Sequence, residues 1–218
     1  MAKNFLEICQ YISLMPNSEL STVNGITDVT TEERNAINRA LMVIWNEVDN
    51  WDFRYKKTTF STEAGVAEYA LPVGAGYIKE NGIRVEGTTN PLRYNPNHEL
   101  VRQTTGTPYE YWIEGGELVI NPAPTSIKTV TLKYRNNYPV ITASTVEQDF
   151  FVNATDILNI TRCEKEFIDC LGHYTNVLLN ADPSDEDYTE HSRNYVCALA
   201  ILKQVDRGAV DNFSSITF

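Results

Sequence analysis

The period of the hydrophobic residues changes twice along this chain. Apolar residues recur at helical spacing up to about residue 54 and again after about residue 161, whereas apolar and polar residues alternate between about 55 and 140. This pattern predicts an α+β fold in which an antiparallel β domain is inserted into a discontinuous α-helical bundle formed by N- and C-terminal helices. We expect the two helical parts to pack together because a short N-terminal pair of helices cannot bury its own apolar face.

These changes of period also predict where the domains begin and end. The N-terminal part of the helical domain is expected at 1–54 and its C-terminal part at 146–206. The inserted β domain is expected at 55–145, with five to seven strands. The last residues, 207–218, are too few for another full helix and are expected to form an extended tail.

Two helices are predicted before the β domain. A short helix begins at Phe5 and ends before Pro16, since proline cannot continue a helix. The clearest signal is the helix at 31–49, because Thr30 and Glu33 have the spacing of a capping box, in which both side chains pair with free backbone N–H groups.

Two more helices are predicted after the β domain. Thr161 and Glu164 repeat the capping-box spacing before a helix that ends at about Asn180. The pair Asp182-Pro183 is typical of a cap and a first-turn proline, so a last helix is predicted from there to about Asp206.

Within the β domain, the segment Glu114–Glu117 predicts a hairpin. Its two central glycines can adopt the positive φ of a tight turn, and strands are predicted on both sides, at 109–113 and 118–120.

Charge and composition exclude several classes of protein. The net charge is −11, and the excess of acid lies in the flanks: residues 1–54 hold 4 basic and 8 acidic side chains, and residues 146–218 hold 5 and 13. Such a chain lacks the cationic field of a general nucleic-acid binder. No apolar run reaches the ~20 residues of a membrane span, and the N-terminus is a poor secretory signal, so we expect an intracellular, soluble protein.

Few residues point to catalysis or to a metal. The four cysteines form no C-x-x-C pair and are interpreted as small buried hydrophobes. Cys170 and His173 could form a nucleophilic pair, but their i, i+3 spacing on a core-facing helix favours packing. The acidic residues between Asp182 and Glu190 lack the glycine of an EF-hand loop and suit the first turn of a helix. No catalytic residue, cofactor or metal is therefore predicted.

Aromatic residues on neighbouring predicted strands leave a choice open. Tyr109, Tyr111 and Trp112, together with Tyr134 and Tyr138, could present a platform for a sugar or another protein. The competing interpretation is that aromatic residues favour strands and that alternate ones are core.

The order of features resembles a known family. A short helix, a loop and a helix that ends in an aromatic cluster precede a series of short motifs and two closing helices. The motifs are Trp51-Asp52-Phe53-Arg54, Tyr69-Ala70-Leu71-Pro72, Gly106-Thr107-Pro108 with Tyr111-Trp112, Leu118-Val119-Ile120-Asn121-Pro122-Ala123-Pro124 and Thr131-Leu132-Lys133-Tyr134-Arg135. Over residues 1–206 the chain resembles the head-to-tail adaptor proteins of tailed bacteriophages, and it looks most like the tail-tubular or gatekeeper-ring adaptors of short-tailed phages.

The resemblance implies a structural virion protein that is not an enzyme and has no cofactor. Such adaptors form a homo-oligomeric ring, typically of twelve copies, beneath the portal protein. The ring meets a downstream tail or second ring protein and lets double-stranded DNA pass without specific binding. The resemblance also implies assembly in the host cytoplasm, no membrane association, and a docking arm at 207–218 that carries Phe213, Ile216 and Phe218.

Two other functions are weighed against this one. The first is a carbohydrate- or receptor-binding module that uses the aromatic β face, and the second is a small hydrolase with scattered carboxylates. No spacing in the chain nominates a carboxylate pair for the hydrolase.

Overall fold

The computed structural model describes residues 3–96, 105–180 and 182–207. The chain divides into two compact units. The helical unit comprises residues 1–54 and 138–218, and the β unit comprises residues 55–137. The second boundary therefore lies eight residues before the expected one at 145, because the segment that follows Asn137 packs with the helices.

Four α-helices form the helical unit. They are α1 (Phe5–Ser13), α2 (Thr31–Glu47), α3 (Glu164–Leu179) and α4 (Glu186–Asp206). Short 3₁₀ turns lie at Ile26–Asp28 and Asp52–Arg54. Among the described residues, none of the helices combines the length and apolarity needed to cross a membrane.

Nine strands are described in the β unit: β1 (Tyr55–Ser61), β2 (Glu68–Ala70), β3 (Ala75–Val85), β4 (Arg93–Tyr94), β5 (Thr105–Gly106), β6 (Glu110–Glu114), β7 (Glu117–Asn121), β8 (Ala123–Pro124) and β9 (Thr129–Asn136). One sheet has the order β1-β9-β3, a second has the order β2-β7-β6-β4, and β5 pairs with β8. The β4–β6 and β5–β8 pairs are parallel. The expected antiparallel arrangement holds for the longer pairs β1–β9, β3–β9, β2–β7 and β6–β7. The two short parallel pairs depart from it, because their connections are long enough for a strand to return in the same direction.

The predicted hairpin is confirmed. β6 and β7 pair antiparallel from Glu110 with Asn121 to Glu114 with Glu117. The turn residues Gly115 and Gly116 have φ of 61° and 86°, in the left-handed region that a two-residue turn requires.

One apolar core lies inside the β unit. β9 alternates strictly, with Val130, Leu132 and Tyr134 buried. They join Ile83 of β3 and Ile120 of β7 in a single cluster, so both larger sheets contribute to one core.

A small sheet belongs to the helical unit. Its strands are β10 (Val140–Ile141), β11 (Glu147–Gln148) and β12 (Ile157–Leu158), with β10 in the centre. Val140 and Leu158 are buried in the same core as the helices, and the ring of Phe151 stacks on Phe5 of α1 at 4.7 Å between centroids. This packing explains why the boundary lies at residue 138.

The predicted cap of α2 is confirmed, whereas the caps predicted for α3 and α4 are wrong. The backbone N–H of Glu33 donates to Thr30 Oγ1 at 3.2 Å, and Thr30 N–H donates to Glu33 Oε2 at 2.7 Å. Before α3, Cys163 is the N-cap in a left-handed conformation, while Thr161 Oγ1 donates to the carbonyl of Phe53 at 3.1 Å. α4 begins three residues after Pro183, and its N-cap is Asp185, whose carboxylate accepts from the N–H of Asp187 at 2.8 Å.

All four helices contribute to one core in the helical unit. Its centre is aromatic: Trp45, Phe53 and Phe167 lie with ring centroids 5.5 to 6.4 Å apart. Leu202 of α4 is also fully buried in this cluster. The N- and C-terminal helices therefore share one core.

Candidate interaction surfaces

The first candidate surface is a groove along the outer face of α2, here called the α2 groove. It has a volume of about 810 Å³ and is formed by helix residues at helical spacing and by a short segment that follows β11. Its lining residues are Arg34, Asn35, Asn38, Arg39, Met42, Val43, Asn46, Phe150, Phe151 and Val152.

Asn38 holds the two walls of the α2 groove together. Its Nδ2 donates to the carbonyl of Phe151 at 3.1 Å, and its Oδ1 accepts from the N–H of Phe151 at 2.9 Å. The neighbouring side chains Phe150 and Val152 are 48% and 54% exposed. An apolar edge is thus fixed beside the helix and left uncovered by the described residues.

Positive charge accompanies this apolar edge. Arg34 and Arg39 line the α2 groove, and none of the described lining residues is acidic. Arg34 Nη1 donates to the carbonyl of Val152 at 3.3 Å, whereas its Nε is buried and has no hydrogen-bond partner in the described part of the chain. In a chain with a net charge of −11, this surface is locally cationic.

A second surface lies between α3 and α4 and is called the α3–α4 groove. It has a volume of about 250 Å³, and its lining residues are Glu166, Asp169, His173, Asn194, Cys197, Ala198 and Ile201. Tyr11 Oη donates to Asp169 Oδ1, and this bond raises the pKa of Tyr11 to about 12. Glu166 and Asp169 make this surface acidic.

The cysteine and histidine of the weighed nucleophilic pair do not interact as such a pair. Burial raises the pKa of Cys170 to about 12, so its thiol stays protonated. His173 contacts His191 of α4, with the two Nδ1 atoms 3.3 Å apart. Of the four cysteines, Cys197 is exposed, so the expectation that all four are buried is wrong for this residue.

The third surface is a groove of about 830 Å³ within the β unit, called the β-unit groove. Residues of β3, β4 and β6 line it, and its aromatic side chains are Tyr77, Tyr94 and Tyr111. Tyr77 and Tyr94 are each 56% exposed, and the ring of Tyr94 lies 5.5 Å from that of Tyr111. Burial raises the pKa of Tyr111 to about 12.

The aromatic platform predicted from the sequence is rearranged in the structure. Trp112 is 1% exposed and Tyr111 is 5% exposed, while Tyr109 is 45% exposed. Trp112 Nε1 donates to Glu114 Oε2 at 3.0 Å, which satisfies the indole inside the unit. Neither Tyr111 nor Trp112 can serve as an open face for a ligand. The exposed tyrosines of β3 and β4 were missed because neither strand shows a clear alternating pattern.

Several sequence predictions concern residues whose placement is not described. Phe213, Ile216 and Phe218, predicted for docking, lie outside the described residues, and so does His98. In the described ranges, no group of three or more His, Cys, Asp or Glu side chains could hold a metal ion. The acidic residues between Asp182 and Glu190 lie at the start of α4, as the dipole argument predicts.

The three surfaces combine exposed apolar side chains with charge or tyrosine, a composition typical of proteins that bind other macromolecules. The comparison with protein families identifies the kind of binding protein. The family model described as SU10 adaptor protein matches residues 4–213, so the chain belongs to this family. The resemblance to phage head-to-tail adaptors is confirmed, and the protein is a phage adaptor with a structural role in the virion. No curated protein matches the chain.

Proposed function

We propose that this adaptor forms a ring of about twelve copies beneath the portal, continues the DNA channel and connects the capsid to the tail. The observation that carries the proposal is the family match, which spans residues 4–213 and so includes both units. In this role the protein works without a cofactor and without catalysis, by fitting one ring surface to the portal and another to a tail or second ring protein.

The charge of the chain supports passage of DNA without binding. The net charge is −11, and the acidic excess belongs to the flanking segments that contribute to the helical unit. Acidic side chains that face a channel repel the phosphates of DNA, so double-stranded DNA slides past instead of adhering.

The C-terminal residues 207–218 are proposed as the arm that docks on the portal. Phe213, Ile216 and Phe218 supply apolar contacts that can fill a groove of the partner. Ordering such a segment costs conformational entropy, which the buried aromatic area offsets.

Mixing the purified protein with the portal ring of its own virus tests this function. Mass photometry should show stoichiometric addition of adaptor copies to the portal, and electron cryomicroscopy should show a ring stacked beneath it. A protein that never associates with its portal would contradict the proposal. A monomer in solution alone would not, since some assemblies form only on a partner.

Changes in the tail test the arm separately. Deletion of 207–218, or serine in place of Phe213, Ile216 and Phe218, should leave the melting temperature unchanged and abolish portal binding. Alanine at Ser214 and Ser215 is the matched control and should bind normally. Truncated protein that binds portals with unchanged affinity would rule out the docking arm.

A second candidate function is carbohydrate binding by the β unit. It is favoured by the exposure of Tyr77 and Tyr94 in the β-unit groove, since tyrosine rings stack on sugar faces. It predicts binding on a glycan array that is lost in Tyr94→Ala and kept in Tyr109→Ala, because Tyr109 does not line the groove. Absence of any glycan signal in the wild type would eliminate this candidate.

A further inference from the structure

The helical unit leaves apolar surface uncovered at two places. Phe150 and Val152 form the edge of the α2 groove, and Ile201 lies exposed on α4 within the α3–α4 groove. Both α2 and α4 pack against α3, and the two grooves have no lining residue in common. They are therefore two separate surfaces of one unit, each suited to contact another molecule.

The charges of these two grooves are opposite. Arg34 and Arg39 line the α2 groove, with no carboxylate among its described lining residues. Glu166 and Asp169 line the α3–α4 groove, with no arginine or lysine among its described lining residues. Each groove also offers apolar side chains at its centre or edge, so the two grooves have opposite charges and apolar surfaces that can pack together.

We infer that the α2 groove of one copy binds the α3–α4 groove of a second copy, head to tail. This inference rests on the proposed ring, since it names the contact that joins neighbouring subunits. A head-to-tail contact uses two different surfaces of each copy, so it can repeat from subunit to subunit until the ring closes.

A symmetric contact of either groove with itself is disfavoured by charge. Two α2 grooves face to face would bring four arginines together, and two α3–α4 grooves would bring four carboxylates together. Like charges held together across an interface are strongly unfavourable. In the head-to-tail arrangement, the arginines face the carboxylates and the exposed Ile201 of α4 covers Phe150 and Val152.

Charge reversal on each side tests the contact. Arg39→Glu changes an exposed residue of the α2 groove, and Glu166→Arg changes a half-exposed residue of the α3–α4 groove. Each single variant should assemble about tenfold or more weakly than the wild type, because an attractive pair becomes a repulsive one. The double variant Arg39→Glu/Glu166→Arg restores opposite charges and should recover assembly.

Matched variants control for the change in net charge. Lys57→Glu on β1 and Glu68→Arg on β2 alter exposed residues that line neither groove. Both should assemble like the wild type. Circular dichroism melts of all variants should coincide, since none of the four residues is buried.

Assembly is measured by sedimentation velocity over a range of concentrations and by counting copies on the portal. Single variants that assemble as well as the wild type would overturn the contact while leaving the proposed ring intact. Weak single variants with a double variant that stays weak would also overturn it, because the grooves would then bind different partners. The wild type could also self-associate without forming a ring. If this self-association is lost in the single variants and recovered in the double variant, the result would support the contact and refute the ring.

Discussion

The histidine pair between α3 and α4 makes the stability of the helical unit depend on pH. His191 is buried, and its Nε2 lies 2.7 Å from the carbonyl of Asn17. A carbonyl only accepts, so Nε2 carries the proton and Nδ1 of the neutral ring is bare. His173 Nδ1–H must then donate to His191 Nδ1 across 3.3 Å.

A second proton binds less favourably to His173 in the folded chain than in the unfolded chain. Burial, together with the nearby His191, lowers the pKa of His173. Just below the ordinary pKa of histidine, the unfolded chain binds a proton at His173 that the folded chain binds only at lower pH. The free energy of unfolding therefore decreases as pH falls through this range.

The size of this effect follows from proton linkage. One proton bound only by the unfolded state lowers the free energy of unfolding by at most about 1.4 kcal/mol per pH unit. Because His173 is half-exposed, water screens part of the effect, and we expect the free energy of unfolding to decrease by less than this limit per pH unit as the pH falls below about 6.5.

Urea denaturation followed by circular dichroism at several pH values measures how the free energy of unfolding depends on pH. His173→Gln is the informative variant, because its amide N–H can still donate to His191 while the titrating ring is gone. Its stability should depend less on pH in this window than that of the wild type. The other titrating groups are the same in both proteins. Identical slopes of unfolding free energy against pH for the wild type and His173→Gln would therefore refute this account of the histidine pair.

Three further predictions concern local structure. Asn38→Ala removes both hydrogen bonds to Phe151 and leaves the backbone N–H of Phe151 unpaired. It should therefore lower the free energy of unfolding by about 2 kcal/mol in urea titrations. An unchanged free energy of unfolding would show that water replaces the Asn38 side chain. Gly116→Ala should lower the free energy of unfolding by about 1 kcal/mol, since the φ of 86° at this position disfavours a Cβ, whereas Gly115→Asn should leave it almost unchanged. Equal melting temperatures for the two variants would contradict this turn geometry. In the native protein a thiol reagent should modify Cys197 first and the two fully buried cysteines only on unfolding, which peptide mass mapping would check.

Local interactions explain which elements could be predicted from the sequence. The cap of α2 depends on Thr30 and Glu33 alone, and the β6–β7 hairpin depends on two adjacent glycines, so both predictions were correct. The same spacing at Thr161 and Glu164 predicted a cap for α3 that is wrong. Cys163 occupies the cap position, and Thr161 donates a hydrogen bond to Phe53, a residue far away in the sequence.

The surfaces depended on tertiary structure. A period of two shows that Tyr109, Tyr111 and Trp112 alternate between two faces, but not which face is covered. In the folded unit Tyr111 joins the core of the β unit, and Trp112 on the opposite face of β6 is buried as well. Similarly, the α2 groove exists because Asn38 binds Phe151, more than a hundred residues further along the chain.

Sequence alone therefore determined the α+β order of elements and the acidic charge, since both depend on neighbouring residues or on simple sums. It also carried the family resemblance that the family match confirmed. Only the tertiary structure decided which charges and apolar side chains share a surface. Arg39 and Phe150 come from distant segments, and only the packed fold brings them to one groove.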